Sequence, residues 1–123
     1  MIIRDLAMVF LGGGMGCVGR YAISLWIKKY ATGIPIHTLV ANMVGCIIIG
    51  LVMGILAKHP NQVVSLLLIT GFCGGFTTFS TFSLESLNLL RSGAVGMGLF
   101  YMGLSLVACV LMVMFGGWIG SKI

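Results

Sequence analysis

The sequence has 123 residues, of which 59% are hydrophobic and only 7% are charged, and its formal net charge is +5. That composition excludes a water-soluble domain. Three stretches without charged residues, 30–57, 60–84 and 92–121, each exceed the ~20 residues that are needed to cross ~30 Å of hydrocarbon. A fourth apolar stretch, 6–27, is interrupted by Arg20.

These stretches predict an all-α integral membrane protein with four transmembrane helices in a single domain, residues 1–123. The predicted spans cover about residues 4–27, 35–57, 63–90 and 94–120. The loops between the spans are short, and the first of them is predicted at Lys28 to Gly33. Loops of this length leave no room for a soluble catalytic domain.

Clusters of catalytic or metal-binding residues are missing from the sequence. The cysteines fall one in each span, without the paired spacing of a zinc or redox motif. No nucleophile is paired with a base, and neither His37 nor His59 belongs to a metal-ligand pattern. We therefore predict that the chain is not an enzyme. The excess of basic residues at the membrane edges indicates contact with lipid headgroups rather than with nucleic acid.

The basic residues at the ends of the spans are divided evenly between the two sides of the membrane. The side with the termini has Arg4, Lys58 and Lys122, and the other side has Lys28, Lys29 and Arg91. An excess of Lys and Arg normally fixes the orientation of a membrane protein. Two interpretations stay open: the chain inserts both ways and works as an antiparallel dimer, or a partner or helix hydrophobicity fixes one orientation.

Residues 71–82, GFCGGFTTFSTF, combine three glycines, four hydroxyl residues and four phenylalanines within the third span. Irregular backbone at membrane depth is tolerated only where protein or a watery cavity covers it. Gly74 and Gly75, followed by Thr77 and Thr78, predict a break near the centre of this helix, where freed carbonyls could bind a cation. The alternative is a continuous helix whose glycines permit close packing.

After the predicted break, a helical wheel separates two faces of the third span. The polar face contains Thr77, Ser80, Thr81, Glu85 and Asn88, and the rings of Phe79 and Phe82 point towards the other face. The polar row is typical of a pathway for a polar solute, although hydroxyls in membrane helices also bond to carbonyls of the preceding turn. Phenyl rings have positive edges, which can approach an anion.

Two further polar residues lie within the predicted spans. The amide of Asn42 either donates a hydrogen bond to an anion or forms a hydrogen bond that joins two helices. Arg20 either supplies positive potential near a pore mouth or extends to the lipid headgroups. Small residues four positions apart, which let helices approach closely, recur in three spans as Gly12 with Gly16, Gly50 with Gly54, and Gly71 with Gly75.

These motifs together resemble the Fluc (CrcB) family of fluoride channels. The resemblance lies in GFCGGFTTFSTF, in GCVGRY at residues 16–21 and in VANMVGC at residues 40–46, and the length and the four spans agree with it. It implies an antiparallel, dual-topology homodimer in the bacterial inner membrane. It further implies that fluoride leaves the cytoplasm passively through two pores per dimer, which reduces fluoride toxicity.

The resemblance also implies roles for single residues. It assigns the fluoride pore to Phe79, Phe82, Asn42, Ser80, Thr81, Tyr101, Glu85 and Ser105. It places Arg20 in the vestibule and a structural sodium ion at the dimer interface, on the backbone carbonyls of Gly74 and Thr77. An ionised Glu85 should repel fluoride, so we expect its charge to be neutralised by burial, by Arg20 or by a hydroxyl.

Two other functions compete with a channel. A small proton-coupled multidrug exporter is also a short four-span dimer, but it needs a carboxylate within its first helix, and this chain has only Asp5 at the edge of that span. A non-transporting subunit of a larger membrane complex would use the polar row only to join helices. We place both behind the fluoride channel.

Overall fold

The computed structural model describes residues 1–28 and 33–123. Those residues form helices and connecting turns, with no strand in either range, so the predicted all-α class is confirmed. The helices are α1 (Ile2–Ile27), α2 (Ile36–Leu56), α3 (residues 62–76), α4 (Phe79–Arg91) and α5 (Val95–Lys122). Lys29 and most of the predicted first loop lie outside the described residues.

Four segments are long and apolar enough to cross a membrane, which confirms the predicted number of spans. The third segment, Gln62–Arg91, consists of α3 and α4 together. Many large apolar side chains on the outer faces of α1 and α5 are exposed, among them Phe10, Trp26, Met114 and Trp118. We assign these faces to lipid, because apolar surface of this extent is typical of membrane proteins.

Helix α3 is not a regular α-helix. It begins as a short α-helical turn, Gln62–Val64, whose amino terminus is capped by the Asn61 side chain. The helix then widens into a π-helix over Ser65–Cys73. It returns to α-helical geometry at Gly74–Phe76. π-helical geometry is rare and is frequently found at functional sites.

The backbone leaves helical geometry between α3 and α4. Thr77 has φ −84° and ψ 156°, and Thr78 has φ −148° and ψ 118°, so both residues are extended. Helix α4 begins at Phe79, and the Thr78 hydroxyl caps it by accepting a hydrogen bond from the Thr81 N–H at 3.2 Å. The extended residues thus follow the glycine pair Gly74 and Gly75 after one intervening helical residue, Phe76.

Glycines bring the helices together in two pairs. Between α1 and α3, a Cβ on Gly12 would collide with the Leu67 carbonyl, and a Cβ on Gly16 would collide with the Phe72 carbonyl. On the α3 side, Gly75 lies equally close to the Gly13 carbonyl. Backbone approaches of this kind are what small residues at four-residue spacing permit.

The second pair of closely packed helices is α2 and α5, which make the most extensive helix contact in the structure. Gly50 faces the Val113 carbonyl, and Gly54 faces the Gly117 carbonyl. All three glycine pairs predicted from the sequence therefore lie at helix contacts. The sequence analysis did not single out Gly116 and Gly120, which complete the α2–α5 contact from the other side.

Candidate functional site

A groove of about 540 Å³ runs beside the extended residues between α3 and α4. Helices α2, α3, α4 and α5 all contribute to its wall. Six of its lining residues were predicted as site residues from the sequence: Asn42, Gly74, Thr77, Phe79, Phe82 and Ser105. The rest of the wall is mainly apolar, so these few polar atoms decide what the groove can bind.

The Asn42 side chain joins α2 to the extended backbone. Its Oδ1 accepts a hydrogen bond from the Thr78 N–H at 2.8 Å, and its Nδ2 donates to the Thr78 carbonyl at 3.2 Å. One amide thus satisfies both backbone groups of Thr78, which a regular helix would have bonded internally. Backbone groups at membrane depth need such partners because no water is present to replace them. Of the two alternatives for Asn42, the structure shows the bond between helices.

Two carbonyls at the same place lose their usual donors. In a continuous helix the Gly74 carbonyl would accept from the Thr78 N–H, which donates to Asn42 instead. The Thr77 carbonyl would accept from the Thr81 N–H, which donates to the Thr78 hydroxyl. Gly74 and Thr77 both line the groove. They are the two residues to which the sequence analysis assigned a sodium ion.

Arg20 reaches the same region from α1. Its Nε donates a hydrogen bond to the Gly75 carbonyl at 3.1 Å. A positive charge at the carboxyl end of a helical segment is favourable, because the helix dipole is negative there. Arg20 therefore satisfies a carbonyl at the end of α3, and it does not neutralise Glu85 as one of the expectations had it.

Three aromatic rings form a row along the α4–α5 contact. The ring centroids of Phe79 and Phe82 are 5.6 Å apart, and those of Phe82 and Tyr101 are 5.4 Å apart. Tyr101 is fully buried and Phe82 is 8% exposed, whereas Phe79 is 75% exposed. The outermost ring is consequently held by few contacts within the chain and is available to a second molecule.

Ser105 lies one turn beyond Tyr101 on α5 and also lines the groove. The residue is 5% exposed, and its Oγ makes no hydrogen bond to any described residue. A buried hydroxyl without a partner is costly, at about 1–3 kcal/mol. Its hydroxyl is therefore an unsatisfied donor buried beside the groove.

Glu85 lies at the centre of a second polar cluster. Its Oε1 accepts a hydrogen bond from Thr38 Oγ1 at 2.7 Å and lies 3.1 Å from His37 Nε2. Its Oε2 accepts from the Tyr101 hydroxyl at 2.9 Å. Two hydroxyls and an imidazole therefore contact the carboxylate, and the hydroxyl bonds stabilise its charge without neutralising it.

A smaller cavity of about 270 Å³ lies on the other side of the extended residues, between α1, α2 and α4. Its wall includes Arg20, Lys28, His37, Thr38 and Thr81. Two cations and several hydroxyls give this cavity a positive and polar surface. It has the character expected of an anion vestibule.

The hydroxyls of the extended segment and of α4 fall into two groups. Thr78 Oγ1 lies 3.3 Å from Ser80 Oγ and donates to Thr81 Oγ1 at 3.1 Å. Ser83 and Ser86 instead donate to carbonyls of the preceding turn. Thr77, a member of the predicted polar row, likewise donates its hydroxyl to the Cys73 carbonyl at 2.8 Å. Bonding to the preceding turn is therefore observed, and the pathway for a polar solute stays a prediction.

A family model described as "CrcB-like protein, Camphor Resistance (CrcB)" matches residues 7–117. The chain belongs to this CrcB-like family. A protein of Phocaeicola vulgatus named "Fluoride-specific ion channel FluC" is 43% identical over 121 residues, which cover 97% of this chain and 100% of that protein.

Two more relatives have the same printed name. The protein of Serratia proteamaculans is 42% identical over 127 residues, covering 98% of this chain and 100% of the relative. The protein of Agrobacterium fabrum is 38% identical over 122 residues, which cover 97% of this chain and 98% of the relative. The CrcB-like family is a family of ion channels, so the prediction that the chain is not an enzyme is confirmed.

Within this CrcB-like chain, most of the predicted site residues fall into two groups on opposite sides of the extended residues, whereas Ser80, Tyr101 and Glu85 line neither cavity. Asn42, Phe79, Phe82 and Ser105 line the larger groove, and Thr81 lines the smaller cavity with Arg20. The helical wheel was wrong for Thr77, which lines the groove beside the rings. Thr77 precedes α4 and is extended, so the geometry of a helix does not apply to it.

Sequence reasoning did not find His37 and Thr38 as partners of Glu85. Thr38, Asn42 and Gly45 are spaced four and three residues apart, so they lie on one face of α2, and this spacing could have revealed Thr38. His37 is the second residue of the same helix, and only the packing of α2 against α4 brings it to the carboxylate.

Proposed function

We propose that the chain is a fluoride-selective ion channel in the bacterial inner membrane, through which fluoride leaves the cytoplasm passively and fluoride toxicity is reduced. The observation that carries the proposal is the groove of about 540 Å³, in which phenylalanine rings and the free hydroxyl of Ser105 lie beside non-helical backbone. The relatives named fluoride-specific ion channels support the choice of ion.

The chemistry of the groove suits a small anion that has lost part of its water. Ser105 offers a hydroxyl donor, and the edges of Phe79 and Phe82 offer positive electrostatic potential without a formal charge. A channel must bind its ion well enough to admit it and weakly enough to release it. A neutral donor with ring edges meets that requirement better than a buried cation would.

The smaller cavity serves in this proposal as the vestibule. Arg20 and Lys28 concentrate anions at its wall, and Thr81 with Ser80 continues the polar surface along α4. Arg20 has a second task, because the same guanidinium holds the Gly75 carbonyl. Charge attraction and the shape of the non-helical segment are therefore linked through one residue.

We further propose that the working unit is an antiparallel homodimer with two pores. A single chain leaves the groove open and leaves the Phe79 ring 75% exposed, so it does not enclose a pathway. In a dimer with a twofold axis, any pore formed between the two subunits occurs twice. The ring face of one subunit and the hydroxyl face of its partner would then line one pore, and the reciprocal faces would line the other.

The antiparallel arrangement predicts a strong effect of added charge. Two lysines inserted beside Lys58 should force a single orientation, because cytoplasmic loops retain excess basic residues. We expect fluoride efflux from cells to be lost in the biased variant and restored when an oppositely biased copy is expressed with it. Full efflux from the biased copy alone would rule out the antiparallel dimer.

A structural sodium ion fits the non-helical segment. The carbonyls of Gly74 and Thr77 would hold it, since their usual helical donors are engaged elsewhere, and unwound carbonyls are typical sodium ligands in membrane proteins. When bound, the ion would supply positive charge at the dimer interface. Replacing sodium by a bulky organic cation on both sides should lower fluoride efflux from vesicles reversibly. Equal efflux in both media would contradict the sodium site.

Replacement of Glu85 by glutamine separates a channel from a proton-coupled exporter. Glutamine keeps an acceptor oxygen for Thr38 but takes up no proton. We expect Glu85→Gln to retain passive fluoride efflux, reduced by up to about tenfold for one lost charge-assisted bond. Asp5→Asn, at the exposed start of α1, is the matched control. Complete loss of transport in Glu85→Gln alone would favour coupling to protons.

A further inference from the structure

The Glu85 cluster contains an imidazole that the proposed channel does not use. His37 is the second residue of α2, and its side chain is about one-fifth exposed. Its Nε2 lies 3.1 Å from Glu85 Oε1, and the same oxygen accepts the Thr38 hydroxyl. His37 and Thr38 also line the smaller cavity. An ion in that cavity would therefore meet the imidazole next to the carboxylate.

We propose that His37 sets the charge at the Glu85 end of the vestibule, so that protonation of its imidazole increases fluoride conduction through this chain. This inference rests on the proposed function. It adds to that function a specific residue and a dependence on pH.

The physical basis is a change of one charge at a short distance. A neutral imidazole with hydrogen on Nε2 donates to Glu85 and leaves the negative charge of the carboxylate uncompensated. A protonated imidazole forms an ion pair with it. Histidine changes its charge between about pH 5 and pH 8, whereas carboxylates, ammonium and guanidinium groups ordinarily keep theirs.

Several ionisable groups among residues 1–28 and 33–123 lie near His37. Helix α1 and the residue after it contribute Arg20 and Lys28 as cations, together with the thiol of Cys17 and the phenol of Tyr21. Helix α4 contributes Glu85, and α5 contributes the Tyr101 phenol through the other carboxylate oxygen. Phenols and thiols are ordinarily neutral in the pH range of histidine. Protonation thus adds a cation to a vestibule whose described wall includes Arg20 and Lys28 and which adjoins the Glu85 carboxylate.

The expected size of the effect follows from Coulomb's law. One added charge about 7 Å from an anion in a watery cavity changes the local concentration of the anion by about threefold. Salt should reduce the effect, because the Debye length is about 8 Å at physiological ionic strength. We therefore expect fluoride conductance to rise by about threefold at low ionic strength as the imidazole becomes protonated.

The test is the fluoride current of the purified full chain in planar bilayers of phosphatidylcholine, whose headgroups keep their charge, at about pH 8 and about pH 6. Hydrogen fluoride is neutral and carries no current, so the current reports fluoride ions alone. We expect the fluoride current of the unmodified chain to rise as the pH is lowered. The current of His37→Gln should be low at both pH values, and that of His37→Arg should be high at both. His59→Gln, at an exposed loop histidine, should respond as the unmodified chain does.

A second measurement needs no variant of His37. By linkage, if protonated His37 favours fluoride, fluoride must favour protonated His37. NMR titration of the two histidines in lipid nanodiscs should show that fluoride moves the His37 titration to higher pH and leaves that of His59 unchanged. Equal shifts for both histidines, or none, would overturn the inference.

The outcomes separate this inference from the proposed function. Fluoride current that does not depend on pH, or that responds equally in His37→Gln and the unmodified chain, would overturn the role of His37 and leave the channel standing. Absence of fluoride current from the unmodified chain at both pH values would overturn the channel and, with it, this inference.

Discussion

Replacing Asn42 with alanine is expected to reduce fluoride efflux by more than tenfold and to destabilise the protein by about 2–6 kcal/mol, since two backbone groups lose their partners at about 1–3 kcal/mol each. The amide of Asn42 bonds both the N–H and the carbonyl of Thr78. Lipid offers these groups no replacement, so the non-helical segment would have to rearrange. The rearrangement would also displace the carbonyls of Gly74 and Thr77.

The effect can be measured as efflux from vesicles and as thermal unfolding in detergent. Asn88→Ala is the matched control, because Asn88 is an exposed asparagine on α4, and we expect it to change stability by less than about 0.5 kcal/mol. Asn42→Ala with normal efflux and normal unfolding temperature would show that α2 does not hold the non-helical segment.

Phe79→Ile is expected to reduce fluoride efflux by more than tenfold while changing stability by less than about 0.5 kcal/mol. The ring is 75% exposed within the chain, so its loss removes little internal packing. Isoleucine is of similar hydrophobicity but has no positive ring edge to offer an anion. Loss of function without loss of stability would therefore report the role of the ring in the pore.

Phe10→Ile provides a close control for this substitution. Phe10 is 78% exposed on the lipid-facing side of α1, so the same chemical change occurs at nearly the same exposure away from the groove. We expect normal efflux from it. Phe82→Ile should also reduce efflux, but with a loss of about 1 kcal/mol of stability, because that ring is buried against Tyr101. Unchanged efflux from a folded Phe79→Ile, Phe82→Ile double variant would remove both rings from the account.

The sequence was most informative where the structure depends on local physics. Long apolar stretches predict membrane spans whatever the details of packing, and glycines four residues apart predict close helix contacts such as that of Gly16 with α3. The same local reasoning pointed to the backbone around Gly74 and Gly75. The extended residues, Thr77 and Thr78, are the two that the prediction placed after these glycines.

The sequence was least informative where residues distant in the chain meet. The Tyr101 hydroxyl reaches the Glu85 carboxylate only because α4 packs on α5. His37 reaches Glu85 only because α2 packs beside these two helices. A wheel drawn for one helix contains none of this information. The assignment of Arg20 had the same difficulty, because its partner is a backbone carbonyl, and any residue type could have supplied it.

The pattern of backbone hydrogen bonds links the two cavities. Thr78 lines both of them, its backbone is held by Asn42 from α2, and its hydroxyl caps α4. The carbonyl three residues before it is held by Arg20 from α1. A change in the vestibule that moves Arg20 would therefore act on the groove through the non-helical segment.

The most direct test of the account is the efflux of fluoride from liposomes that contain only the purified chain, with chloride efflux recorded in parallel under the same gradient. We expect rapid fluoride efflux with little chloride efflux, and loss of the fluoride signal in Phe79→Ile but not in Phe10→Ile. Failure of the folded chain to pass fluoride, or equal passage of both anions, would contradict a fluoride-selective channel.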